Sequence, residues 1–372
     1  MAKAIDIGTC FLVGAKLEGG KEVFTIERDA FFSMPREDFA EEMLHDAGAK
    51  YVLRGNEIFV VGEDALKYCM ITGKQESYRR PMQRGVLNPG EEEAIPLLER
   101  LIEGITGKPE FKGEVIAATI PAAPLDENLD VTFHRIVLER FLKKLGYDVR
   151  ILNEALAIIY AECPKVDDAG QIAPFSGVGI SFGAGMTNLV VAWRAKKLFE
   201  ISVARGGDWI DASVSKVRNI PSGKVTHEKE KNFDLRKVDP RNALHLSLEI
   251  YYEELVRHVL REFGAHFKGA QTTVTNPLDV VVAGGTASVP GFTEMFKRIL
   301  EEVGAPIPIR EVRLAKDPLR TVAKGALVAA VSMEKKKKSS PTAPGAAGVP
   351  AAPSGATARL GALPDVIDVE AV

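Results

Sequence analysis

The chain has few cysteines. Its 372 residues hold three, Cys10, Cys69 and Cys163, odd in number and far apart. That excludes a disulfide scaffold and leaves free thiols in a reducing compartment as the simplest reading. No run approaches the roughly 20 apolar residues of a spanning helix. Met1-Ala2-Lys3 leads straight into a strand-like run, with no apolar h-region or cleavage site, so a secretory leader is not expected. One-sided charge is also lacking: a formal net charge of -3 gives no global attraction to nucleic acid or anionic lipid. The six histidines (His45, His134, His227, His245, His258 and His266) share no metal-ligand spacing. There is no G-x-S-x-G and no ordered Ser-His-Asp set, so a hydrolase triad is not supported. The expectation is a cytoplasmic, soluble protein.

What is present is strand and helix in alternation, the pattern of an α/β fold. Ala4–Ile7, Gly8-Thr9 and Phe11–Leu17 read as strand, tight turn, strand, followed by a hairpin to Val23–Ile26. Glu57–Val61 and Val115–Ile120 read as strands, Glu91–Ile105 and Thr132–Leu145 as helices, and Val149–Leu152 as a strand. Then the opening theme restarts. Gly177–Phe182, Gly183-Ala184-Gly185 and Thr187–Ala192 repeat it, with Leu198–Ala204 as a third strand. A long helix over about Ala243–Phe267 precedes a strand at Val280–Ala283, a helix over Gly291–Val303 and a last one over about Pro318–Met333. Two lobes opening alike constitute an internal duplication of long period. The expected division is a first lobe over 1–149, with its core in 1–29 and 85–149 and an insertion over about 30–84. A second lobe follows over 150–317, with an insertion over about 212–278, and a helix over 318–334 returns to the first lobe. Beyond it the composition turns to Ser, Pro, Ala and Gly after the basic run Lys335–Lys338, so 335–372 reads as a disordered tail.

Three glycine-bearing turns carry the chemistry. In Asp6-Ile7-Gly8-Thr9-Cys10, a glycine lets the backbone approach a phosphate so that amides of the turn can donate to it, and Asp6 can hold a Mg²⁺-bound water. In Ser181-Phe182-Gly183-Ala184-Gly185-Met186-Thr187-Asn188 the glycines permit the same approach and Thr187 can cap or contact phosphate. In Val282-Ala283-Gly284-Gly285-Thr286 a buried strand delivers a glycine pair on which an adenine and ribose can lie, and G-x-G-x-x-G is not met. Taken singly, each turn could equally be structural.

Together and in order, these turns resemble the two phosphate motifs and the adenosine motif of the actin, DnaK-type chaperone and sugar-kinase superfamily. Asn153-Glu154-Ala155-Leu156-Ala157 resembles the first connecting helix and Lys324-Gly325-Ala326 the second, where small residues let two helices cross closely. Gly206-Gly207-Asp208-Trp209-Ile210-Asp211 resembles the family's G-G-x-x-[FLIM]-D, and Glu228-x-x-Lys231 its E-x-x-K on the helix contacting ribose and purine. Arg79-Arg80-Pro81-Met82-x-x-Gly85-Val86 resembles a stretch of MreB-type actins. The resemblance implies a two-lobed fold of duplicated ribonuclease H-like domains around a nucleotide cleft. It implies ATP and Mg²⁺ as cofactors, bound by Gly8, Thr9, Cys10, Gly183, Ala184, Gly185, Met186, Thr187, Gly207, Asp208, Glu228, Lys231, Gly284, Gly285 and Thr286. It also implies that Glu154 orients the hydrolytic water and that Asp6 acts with it through Mg²⁺. Ser181 stands where the family has an aspartate, so hydrolysis is expected to be slow if it occurs. The chain is too short for a chaperone's substrate domain, and no acid suits a kinase base. The implied function is a polymerising actin-like protein; alternatives are a non-polymerising ATP-binding adaptor and, behind it, a small-molecule kinase. Expected partners are ATP and ADP, copies of the chain itself in filaments, and a protein docked through the C-terminal tail. Neither nucleic acid nor a membrane is expected.

Overall fold

The computed structural model describes residues 2–73, 78–88, 90–91, 94–163, 165–166, 172–269 and 273–339. In chain order it begins β1 (Lys3–Ile7), β2 (Phe11–Glu18), β3 (Lys21–Arg28), β4 (Phe31–Pro35), α1 (Asp38–Asp46), β5 (Tyr51–Arg54), β6 (Glu57–Val61) and α2 (Glu63–Thr72). Three two-residue strands, β7 (Tyr78–Arg79), β8 (Met82–Gln83) and β9 (Val86–Leu87), lead to α3 (Ile95–Thr106), β10 (Val115–Ile120), α4 (Val131–Leu145), β11 (Asp148–Asn153) and α5 (Glu154–Ala161). After the short β12 (Lys165–Val166) and β13 (Ile172–Ala173) come β14 (Gly177–Phe182), β15 (Thr187–Trp193), β16 (Lys196–Val203), α6 (Gly207–Arg218), α7 (Ser222–Lys231) and α8 (Ala243–Phe267). β17 (Leu278–Ala283), α9 (Phe292–Val303), β18 (Ile309–Leu314) and α10 (Thr321–Ser339) complete the chain.

Two five-stranded sheets organise these elements, in the orders β11-β10-β1-β2-β3 and β18-β17-β14-β15-β16. Position for position they are the same sheet. β1 and β14 each pair antiparallel with the next strand and parallel with a later one. The turns match too: Ile7 pairs with Leu12 as Phe182 pairs with Thr187, with four residues between them each time. The central strands β10, β14 and β17 are buried throughout, as continuous apolar runs in parallel pairing require. A smaller sheet, β5-β6-β4-β7, lies with α1 and α2 in the segment expected as an insertion and has its own small core around Phe32, Leu44 and Ile58. The segment after β16 is helical, and α6, α8 and α9 close a large core on the second sheet.

α5 and α10 lie between the sheets. Asn153 caps α5 by accepting from the amides of Ala155 (2.8 Å) and Leu156 (3.2 Å). From Ala155 to Tyr160 every residue of α5 is buried, so the helix is apolar all round and touches both halves. At the crossing, Gly325 of α10 meets the Ala157 carbonyl so closely that a Cβ would stand 1.6 Å from its oxygen.

One expectation is corrected. α10 does not stop near Met333 but runs to Ser339, taking in the lysine run assigned to the tail. Lysine is a good helix former and its charge suits a helix C-terminus. Glu334 accepts from the Ala2 amide at 3.0 Å and Lys337 pairs with Asp148, tying the extension to the first sheet. The rest of the expected tail, residues 340–372, lies outside the described residues. Among the described residues no helix is long and apolar enough to cross a membrane.

Candidate functional site

Both glycine turns close the same way. The Gly8 amide donates to the Phe11 carbonyl at 3.1 Å, and the Gly183 amide to that of Met186 at 2.9 Å. A Cβ at either glycine would strike that same carbonyl. The turns meet. A Cβ on Gly185 would lie 2.4 Å from Thr9 Oγ1 and 2.3 Å from the Gly85 nitrogen, and the Gly85 amide donates to Thr9 Oγ1 at 2.9 Å. The first turn, the second turn and the loop after Arg80 therefore form one junction between the halves.

Beside it lie Asp6 and Glu154. Asp6 is the last residue but one of β1 and Glu154 begins α5. Asp6 accepts from the Thr119 hydroxyl at 2.5 Å. Glu154 accepts from Asn188 Nδ2 at 3.0 Å and from the Ser181 hydroxyl. Asn188 is fully buried, its Oδ1 accepting from Ser202 and from the Ala122 amide (3.2 Å). Burial raises the Asp6 carboxyl to about 6 against the Thr119 bond. Burial and then the Asp6 charge raise Glu154 to about 8, against its bonds to Ser181 and Asn188. At neutral pH the pair therefore retains a proton.

These shifts set a pH dependence. Both folded values lie above the unfolded ones, so the folded protein binds protons that the unfolded chain releases. The stabilisation is complete below about 4 and is lost as the pH rises to about 8. Without divalent cations the unfolding temperature is expected to fall between pH 6 and about 8. Asp6→Asn removes the charge that helps raise Glu154 and is expected to flatten that slope. An equal slope in the variant would show that the two carboxyls do not interact.

The remaining expected site residues divide into two groups. Gly284, at φ +95°, packs on β14, where a Cβ would stand 2.2 Å from the Phe182 oxygen. Gly285 beside it is exposed, with only Leu319 within reach of a Cβ. That pairing leaves an open floor on a rigid strand end. Thr286 donates to the Gly183 carbonyl at 2.8 Å, tying this floor to the second turn. The Gly207 and Asp208 amides are taken by the carbonyls of Gly183 (3.0 Å) and Ala184 (2.9 Å), so this end of α6 braces the second turn. Four side chains have protein partners or positions other than those expected. Thr187 donates to the Arg205 carbonyl at 2.9 Å. Asp208 pairs with Arg80, Glu228 contacts His245 at 2.7 Å, and Lys231 is exposed. Their neighbours on α7 reach inward instead: Lys229 pairs with Asp211 at 2.7 Å and donates to the Gly207 carbonyl, and Glu230 meets Arg28. Burial raises the Cys10 thiol to about 12, so it stays protonated and serves as an acceptor for Arg28.

The Volactin family model matches residues 1–330. The chain belongs to the Volactin family. Its fold is the one seen in solved structures of MamK and MreB. One described as a MamK double helical filament has a TM-score of 0.62 at 16% identity, covering 89% of this chain and 99% of its own. MreB 5 of Spiroplasma citri bound to AMPPNP has a TM-score of 0.62 at 15% identity, covering 91% of this Volactin-family chain and 98% of its own. The same protein bound to ADP has a TM-score of 0.61 at 16% identity. No curated protein matches the chain.

Proposed function

We propose that the chain binds ATP with Mg²⁺ between its two halves and assembles into filaments under nucleotide control, with slow hydrolysis. The observation that carries this reading is the meeting of two equivalent glycine turns at Thr9 and Gly185, where backbone from both halves can enclose one phosphate chain. The open floor at Gly285 suits a purine. Asp6, Thr119, Glu154, Ser181 and Asn188 offer only oxygen donors apart from one amide, a hard set that fits Mg²⁺, and a cation would relieve the repulsion between the carboxyls. Among the described residues no three of His, Cys, Asp or Glu converge as metal ligands. Mg²⁺ would accordingly be held through Asp6 and water, supplying charge stabilisation at the phosphates.

Slow turnover has one support in the site. Ser181 occupies the place in the second half that Asp6 holds in the first, two residues before the turn glycine, and supplies no charge. Ser181→Asp is expected to raise the hydrolysis rate by about tenfold or more; an unchanged rate would free the serine of responsibility. Assembly is supported by the fold shared with a protein solved as a filament. High-speed sedimentation with ATP, with ADP and without nucleotide is expected to pellet the protein most with ATP. A protein that binds ATP yet stays in the supernatant at high concentration would instead be an adaptor.

A further inference from the structure

Between the two turns lies a group of charges of which the superfamily resemblance assigns only Asp208, and that one to the nucleotide. Arg28, at the end of β3, is nearly buried, its side chain 7% exposed. It donates to Cys10 Sγ at 3.4 Å and stacks 4.7 Å from the Phe11 ring centroid, so it sits on the first turn. It also contacts Tyr78, Glu63 at 2.8 Å and, across the cleft, Glu230 at 3.4 Å. Arg80, in the loop that joins both turns, makes a two-pronged pair with Asp208 at 3.1 and 2.9 Å. The Asp208 amide in turn holds the Ala184 carbonyl of the second turn. Next to Arg28 along the chain, Asp29 is fully buried with neither carboxyl oxygen hydrogen-bonded. An uncompensated buried carboxyl favours its neutral form, so it supplies no charge to balance the arginines.

We propose that Arg28 and Arg80 are side chains that recognise the polyphosphate, and that Asp208 and Glu230, which hold them across the cleft, compete with phosphate for them. This rests on the nucleotide reading above and extends it. A guanidinium presents forked donors that match phosphate oxygens as well as carboxylate oxygens, so the exchange of one partner for the other keeps the geometry. Both acids are partly exposed, at 30% and 31%, so each can turn to solvent when phosphate takes its arginine. Both exchanged pairs join the two halves. Phosphate entry therefore replaces direct contacts between the halves by contacts through the ligand, which couples the bound phosphates to the angle between the halves.

Competition has a signature that a purely structural ion pair lacks: the two partners have opposite effects on binding. Binding of ATP, ADP and AMP is to be measured by calorimetric titration of the full chain at fixed Mg²⁺. Arg80→Ala is expected to weaken ATP binding by about tenfold or more, the loss of a charge-assisted hydrogen bond, and AMP binding by less than about twofold. Asp208→Asn is expected to tighten ATP binding by about threefold or more, since removing the competing charge frees the guanidinium. Arg80→Lys should fall between wild type and Arg80→Ala, and thermal unfolding of each variant checks that the fold is kept. Equal weakening of ATP by Arg80→Ala and Asp208→Asn, or an unchanged ATP-to-AMP ratio in Arg80→Ala, overturns the proposal and leaves nucleotide binding standing. A wild-type chain that binds none of the three nucleotides overturns both.

Discussion

Gly325→Ala is expected to destabilise the protein by at least about 3 kcal/mol, enough to prevent it accumulating in folded form. In an ordinary helix interior the same change stabilises by about 0.5–1 kcal/mol, because alanine loses less backbone freedom on folding. Here the added methyl would lie 1.6 Å from the Ala157 oxygen and 2.4 Å from its carbon, both backbone atoms that cannot turn aside. The two helices between the sheets would have to part, opening a core shared by both halves. Gly264, inside α8, is the control, because a methyl added there would meet nothing within 4 Å. Gly264→Ala should raise the denaturation midpoint while Gly325→Ala lowers it. Two shifts of the same sign would refute the close crossing.

The second large effect separates two adjacent glycines. Gly285→Tyr is expected to weaken nucleotide binding by about 100-fold or more, with little change in unfolding temperature. Its backbone is helical, at φ -60° and ψ -37°, and a side chain there enters open space over the proposed purine floor. Gly284→Ala should do the reverse and attack the fold itself. Its φ of +95° disfavours any side chain, and the methyl would collide with the Phe182 backbone. Titration with ATP, paired with thermal unfolding of each variant, reads both. Normal ATP affinity in Gly285→Tyr would remove the purine from this face.

Much of this fold was legible in residue order, and the reason is burial. Strands 57–61, 115–120 and 177–182 and the helix 243–267 are bounded as read, because uninterrupted apolar runs or a long helical period leave little choice of conformation. β18 was missed: Pro306 and Pro308 precede it and read as punctuation, though its backbone is held by pairing to β17. α1, α2, α6 and α7 are amphipathic to a modest degree and depend on tertiary packing rather than on a strong periodic signal. In the site, the glycine turns could be found because close backbone approach demands glycine. Arg28, Arg80 and Lys229 could not be assigned, because their partners are remote in the chain: Arg80 meets Asp208 and Arg28 meets Glu230, and no local pattern encodes such pairings. Asn188 carried a faint signal as the last residue of the second glycine motif, but its place as a hub for Glu154, Ser202 and Ala122 appears only once β15 and β16 are paired.

α5 is greasy on every side, and that binds the fate of the two halves together. A fragment ending near Asn153 would leave the inner face of its sheet bare, and one starting near Gly177 would do the same. Neither piece should survive as a tidy monomer; each would clump. The intact molecule should accordingly melt as one cooperative unit, with a calorimetric heat equal to that inferred from the sharpness of the transition. Whatever swinging the halves perform is restricted to motions that keep this shared rod covered.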